Sequence, residues 1–577
     1  MQLARPSNLL RLMYLLPVLL LACSDSPGDR AGGMTSEEGV LRYVPADTPY
    51  VFAALEPLPG TVRSKLTPHV QALVRSYAEM LQAVVAQRAD GVDQSGIDDE
   101  TRQRIDAVIQ ELAGMITVDG IPEAGIDPES TAVVYGVGLL PVIRVALSDT
   151  ERFEAAVSKL ESRAGAKMET ATIDGHAYRH AGNDEARVIV AVIDDQLVIV
   201  GVPAELPEAV LKAALGLTLP RESIAQSGAL ASVADKYGLT AHALGFIDVE
   251  RVAATFIDDP AGVNAELLAL MEYDAGGLSD VCKAEMRSIA AIAPRVVTGY
   301  TDITPQHFKT TTVVELRSDI ATGMQALTAA VPGLGTGQGG LISLGMSLNM
   351  LAAREFYAAR LDAIEADPYE CEMLDDVQAA VAQGRALLAQ PLPPAVYAFR
   401  GFLAVVDDIK GMDLQNQQPP TDIDMRVLVA TDNPEALLAT GAMFSPEIAA
   451  LNLRPDSKPV KLAVPAMAAM IKAAWVAMSE DAIALSVGAG SENGLEAMLG
   501  VASRQPPPFM SMSLDAARYY TLVGDIAMHT DSDEAPEVTR ANAEIMKNLG
   551  QLIDRISFDV EFTEHGIQMP STMTLTD

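Results

Sequence analysis

The chain has 577 residues, with 41 Lys and Arg against 77 Asp and Glu, a formal net charge of −36. A body this acidic repels nucleic acid and anionic membrane surfaces, which excludes a nucleic-acid partner. Its hydrophobic fraction of 49% is too high for a disordered acidic tail, and the length suggests two to four packed domains.

Arg5 and Arg11 flank the start of an apolar run from Leu12 to Ala22, broken only by Pro17. Roughly 11 residues cannot span a bilayer, which needs about 20. The charge order and length are those of a secretory signal, with small Ala22 just before Cys23. Leu20-Leu21-Ala22-Cys23 resembles the lipobox of bacterial lipoproteins. The resemblance implies that residues 1–22 are a cleaved leader and that Cys23 becomes the acylated first residue. Several acyl chains together anchor stably where one does not. Ser24, in place of the Asp that marks inner-membrane retention, implies an outer-membrane location, lipid-anchored and facing the periplasm. Without the leader the chain carries 39 basic and 77 acidic residues, a net −38. Residues 23–43 are polar and Gly-rich, which predicts a flexible tether reaching roughly 25 Å r.m.s..

With Cys23 set aside, Cys282 and Cys371 remain, an even pair in an oxidising compartment. One disulfide between them is expected; two buried free thiols are the alternative. No CxxC occurs, so thioredoxin-like chemistry has no support. Ala321–Ala353 contains no Asp, Glu, Lys or Arg. Pro332 and five glycines between 333 and 340 prevent a continuous lipid-exposed helix there. That composition reads as a Gly-rich linker over 319–340.

The remainder reads as α+β, built from two diverged repeats over 44–318 and 341–577. Each is expected to be a mostly antiparallel sheet covered by amphipathic helices. Tyr50–Glu56 and Leu341–Ser347 open the copies as strands. Helices are expected over Arg102–Met115 and Leu374–Leu388, then strands over Thr131–Val137 and Ala395–Gly401. Arg144–Asp149 matches Arg426–Asp432, and the strand–turn–strand at 188–201 matches 474–488. Phe246–Arg251 matches Ser513–Arg518, and the closing hairpin at 295–316 matches 555–575. Residues 466–478 look helical alone, but the plain strand at 186–193 in the first copy makes Ala474–Met478 a strand.

Val44-Pro-Ala-Asp-Thr-Pro-Tyr-Val-Phe52, followed by the strand Asp195-Gln-Leu-Val-Ile-Val200, resembles a family of bacterial envelope proteins classed as a domain of unknown function. The resemblance covers the first copy best and implies no catalytic residues.

Candidate chemistry is sparse. Gly335-Thr-Gly-Gln-Gly339-Gly340 satisfies G-x-G-x-x-G, yet a dinucleotide site needs a strand before it and a helix after it, the reverse of the order here. Gly488-Ala-Gly490-Ser-Glu-Asn-Gly494 is one residue off that fingerprint and reads as a turn. His176 and His180, with Asp174 near, are weak metal candidates that need a third ligand. Met467, Met470 and Met478 read as core filler, and the acidic stretch Asp90–Glu100 as a solvated loop. Asp248 and Asp515 read as helix N-caps. No G-x-S-x-G, S-x-x-K or H-E-x-x-H is present, and the histidines are scattered. No cofactor is expected. The sequence therefore points to a membrane-anchored periplasmic lipoprotein with a non-catalytic binding or scaffolding role, its ligand or envelope-protein partner at a cleft near the linker. Two alternatives stand beside it: a carrier or clamp for an apolar ligand such as lipid or a nascent outer-membrane protein, and a hydrolase of envelope polymers.

Overall fold

The computed structural model describes residues 39–577 except 92–98, 118, 127–128, 130, 184–185, 259–262, 274–276, 411–421, 464–472 and 530–535. Cys23 and its leader, residues 24–38 of the tether, Met467, Met470 and most of the acidic loop lie outside the described residues. The class is mixed α+β. The chain divides into two compact units, described separately below. The first takes residues within Met1–Leu278, Arg295–Thr310 and Ser532–Leu552; the second takes Ser279–Pro294, Thr311–Asp531 and Ile553–Asp577.

The first unit contains β1 (Tyr50–Ala54), β2 (Ala132–Val137), β3 (Leu140–Ala146), β4 (Glu169–Ile173), β5 (His176–Gly182), β6 (Ala186–Ile193), β7 (Gln196–Pro203), β8 (Leu244–Asp248) and β9 (Arg295–Ile303). Neighbours are antiparallel throughout, in the order β9–β8–β1–β2–β3–β7–β6–β5–β4. The chain leaves this unit within β10 (His307–Glu315). Short turns between β2 and β3, and between β6 and β7, force the antiparallel pairing. The long helix Gly60–Gly91 packs with the helix Pro536–Leu552, whose Val538, Ala541, Ile545 and Leu552 are buried. Asn548 Nδ2 donates to Ser76 Oγ across that pair at 3.1 Å.

The second unit contains β11 (Ile342–Ser347), β12 (Phe399–Lys410), β13 (Asp422–Thr431), β14 (Val460–Leu462), β15 (Ala474–Met478), β16 (Ala482–Val487), β17 (Met510–Asp515), β18 (Ile553–Thr563) and β19 (Gly566–Leu575). Its order is β19–β18–β17–β11–β12–β13–β16–β15–β14, again antiparallel throughout. One sheet face carries Leu403, Val405, Leu428 and Ala430 against Leu495, Met498 and Leu499 of the helix Asn493–Leu499. Ala474–Met478 is a strand despite its Ala-rich composition, because Trp475 and Ala477 pack onto that core.

Three sequence readings need correction. The tether does not run to residue 43: Val40–Tyr43 is a 3-10 turn with Val40, Leu41 and Tyr43 buried. Their apolar side chains outweigh the polar composition upstream. The Gly-rich stretch 319–340 is not a linker. It begins with the helix Ser318–Gln325, and the glycine segment then places Leu327, Val331 and Leu334 in the interior. Val331 and Leu334 belong to the core of the second unit. Gly333 and Gly335 lie in the left-handed region, where a side chain is strained. The glycines therefore turn the chain so that its apolar residues face inward. Finally, 395–401 is not all strand: Pro394–Ala398 forms a helical turn, started by Pro at its first position, and β12 begins at Phe399.

Candidate apolar binding site

The polar candidates do not converge. His176 and His180 both lie on β5, opposite Ile173 and Glu169. Four residues along a strand separate them by about 13 Å, too far to share one ion. His180 Nε2 lies 3.6 Å from Glu169 instead. Among the described residues no group of three His, Cys, Asp or Glu is placed to hold a metal ion. Asp248 caps the helix Val249–Ile257 by accepting from Arg251 N at 3.0 Å. Asp515 does the same for Arg518 N at 3.0 Å. His307 Nε2, at the start of β10, lies 2.8 Å from Asp302 near the end of β9, and Thr304 in the turn between them is bonded to the His307 backbone. His242 faces the Glu56 carbonyl at 3.2 Å.

Cys282 and Cys371 are disulfide-bonded, with Cα atoms 4.8 Å apart. Cys282 lies on the helix Asp280–Ala290, where Ser279 caps by accepting from its amide. Glu285, one turn on, accepts from the amides of Glu370 and Cys371 at 2.8 and 3.0 Å. A covalent bond and a carboxylate thus hold this helix in the second unit.

The apolar faces are extensive. In the first unit, the helix Thr150–Ala164 lays Phe153 and Val157 over Val190, Val192, Leu197 and Ile199. Asp149 caps that helix by accepting from Glu151 N and Arg152 N. The strands run on past the helix. Ala181 faces Val188, Val188 faces Gly201, and Pro141, next to the Val142–Val200 pair, continues the row. Val188 is 47% exposed. Leu267 and Met271, at the end of the helix Val263–Leu270, stand beside this row. The result is an open groove of about 500 Å³, in the range that ligand pockets occupy. Leu139, Leu140, Val202 and Pro203 add to its apolar lining, and among the described residues Arg187 is the one charged residue beside it. Tyr50 positions one wall: its hydroxyl donates to the Leu139 carbonyl at 3.1 Å. Burial pushes the Tyr50 phenol up to about 12.

In the second unit the face opposite the core is apolar in three successive cross-strand rows. The middle row runs Phe558, Met512, Leu344, Ala404, Val427, Leu485, Val476 and Val460 across eight strands. Beside it, Met510, Met346, Phe402, Val429 and Ile483 form one row. Leu514, Ile342, Val406, Met425 and Val487 form the other. At its centre Leu344 is 41% and Met512 36% exposed.

None of this was singled out from the sequence, because each row draws one residue from each of several distant strands. A signal existed: Val188–Ile193 and Leu197–Val200 are apolar at successive positions, the mark of strands lined on both faces. No protein-family description, curated protein or solved structure matches this chain.

Proposed function

We propose that this protein is a lipid-anchored lipoprotein of the bacterial outer membrane, facing the periplasm, that binds apolar envelope material and is not a catalyst. The observation that carries the binding reading is the sheet face of the second unit, apolar in three rows and exposed at Leu344 and Met512. Neighbouring large apolar side chains left exposed on a sheet face mark interaction sites on folded proteins. This favours the carrier or clamp over a purely structural scaffold. The support for the anchor is the lipobox ending at Cys23, and its test is metabolic labelling with a palmitate analogue, lost on Cys23→Ser.

The two lobes are proposed to be copies of one ancestral unit. The support is topological: β9–β8–β1–β2–β3–β7–β6 and β18–β17–β11–β12–β13–β16–β15 connect in the same order. Helices also enter at matching places. Arg144 on β3 donates to the Leu215 carbonyl at the end of the helix after β7. Arg426 on β13 lies against Gly494 in the helix after β16.

The binding reading is tested with Nile red on the full chain carrying Cys23→Ser. Its fluorescence is expected to rise with the protein and to lose most of that rise in Leu344→Glu/Met512→Glu. Both positions are partly exposed, so the carboxylates reach water without unfolding the sheet. An unchanged signal in the double variant rejects this face as the binding surface.

A further inference from the structure

We propose that Met346, Met510 and Met512, on the apolar sheet face of the second unit, form a thioether site for a soft monovalent metal ion, copper(I). The inference goes beyond the apolar-binding reading and does not rest on it, because it needs only the sulfur atoms of these three residues.

Strand register brings the three together from segments distant in sequence. Met346 on β11 is the direct cross-strand partner of Met510 on β17, and Leu344 is that of Met512. Met510 and Met512, two residues apart on one strand, share a face. Met346 therefore stands beside one and diagonal to the other. Sheet geometry sets the Cβ separations at about 5 Å for the direct pair and about 7 Å along the strand and on the diagonal, so the centre of the triangle lies about 4 Å from each corner. A thioether sulfur stands two bonds beyond Cβ on a flexible, unbranched chain. Metal–sulfur bonds of about 2.3 Å close the remaining distance. Three sulfurs can thus meet one ion above the sheet without a backbone shift.

The ligand chemistry selects the ion. Thioethers are neutral, soft donors, and copper(I) is the ion they favour. The residues that pair with the three across the strands are Phe402, Val560, Phe558 and Leu344. None offers the oxygen that calcium and magnesium require, or the thiolate and imidazole of zinc sites. Access is open as well. Met512 is 36% exposed, and Met346 and Met510 are partly exposed beside it. Methionine that only fills a core is enclosed, whereas these three lie where an ion reaches them. A net charge of −36 favours the approach of a cation.

The test uses the full chain with Cys23→Ser, so that the Cys23 thiol cannot bind copper, and with the Cys282–Cys371 disulfide confirmed by intact mass. Copper(I) is supplied as its acetonitrile complex under nitrogen, and the protein competes for it with bicinchoninate. The parent chain is expected to withdraw one equivalent. Met510→Leu/Met512→Leu keeps volume and apolar character, and is expected to lose that equivalent with the circular dichroism melt unchanged. Met346→Leu, on the other strand, is expected to do the same. Met373→Leu/Met443→Leu changes two methionines that are 65% and 80% exposed outside this face, and is expected to keep it. X-ray absorption at the copper edge is expected to show sulfur neighbours only. Failure of the parent chain to withdraw copper overturns the site. Full retention in Met346→Leu or in Met510→Leu/Met512→Leu overturns it too, as does equal loss in Met373→Leu/Met443→Leu. Nitrogen or oxygen neighbours at the copper edge overturn the ligand assignment. Nile red reports the apolar-binding reading separately. A parent chain that binds the dye and no copper ends this inference alone, and one that withdraws copper without binding the dye ends the apolar-binding reading alone.

Discussion

Arg144 and Tyr50 show how single residues set the first unit's sheet. Arg144 is fully buried, with no carboxylate partner among the described residues. Its charge is met by Gln196 Oε1 at 3.0 Å, by the Leu215 carbonyl at 2.8 Å and by the Tyr43 ring 3.7 Å from its guanidinium carbon. Leu215 ends a helix, where the macrodipole favours a cation. Tyr43 in turn donates to Asp194 at 2.8 Å, which ties the 3-10 turn at residues 40–43 to the β6–β7 turn. Tyr50 makes a pH prediction. Its phenol ionises near 10 in an unfolded chain, and burial moves it to about 12 in the fold. The folded state therefore holds its proton longer. The contribution is fully present below about pH 10 and is lost as pH rises towards 12. Burial raises Tyr135 as well, so an alkaline absorbance titration of the folded chain should show several delayed tyrosinate steps, one of which disappears in Tyr50→Phe. An unchanged number of delayed tyrosines in that variant assigns the step near 12 elsewhere.

At the scale of elements, the disulfide is the strongest single constraint outside the cores. It joins residues 89 apart, and a loop of that length corresponds to roughly 4–5 kcal/mol in the chain-entropy account. Cys282→Ser/Cys371→Ser should lower the urea midpoint by an amount approaching that figure, with the far-ultraviolet spectrum of the native state preserved. A midpoint shift equivalent to less than about 1 kcal/mol would show that Glu285 and local packing already hold the helix Asp280–Ala290. The Gly-rich segment was misread because composition does not show where a chain turns. Apolar residues separated by glycines look like a linker in composition, but Leu327, Val331 and Leu334 are spaced so that a turning backbone buries all three.

For the whole molecule, each unit is completed by a helix from the other end of the sequence. The first takes the helix Pro536–Leu552, and the second takes the helix Asp280–Ala290. Cutting the chain after residue 318 should therefore not release two stable halves. Residues 39–318 expressed alone leave the helix Gly60–Gly91 without the helix Pro536–Leu552 that packs against it. That fragment should be aggregation-prone and should become soluble when co-expressed with 319–577. A stable, cooperatively melting 39–318 fragment would show that the exchange of helices is dispensable.

Sequence alone determined what is local. Period-two alternation and short turns located most strands, the spacing of Asp248 and Asp515 before helices identified them as caps, and the match to 186–193 made Ala474–Met478 a strand against its own composition. These are properties of residues near one another in the chain. Tertiary structure decided which faces were left uncovered, that 326–341 packs inward, that His176 and His180 do not meet, and where the helices Asp280–Ala290 and Pro536–Leu552 belong. The groove needed both kinds of information. Its apolar strands were legible, but its opening exists because the helix Thr150–Ala164 covers only part of their face, and burial of that kind is settled by packing between distant segments.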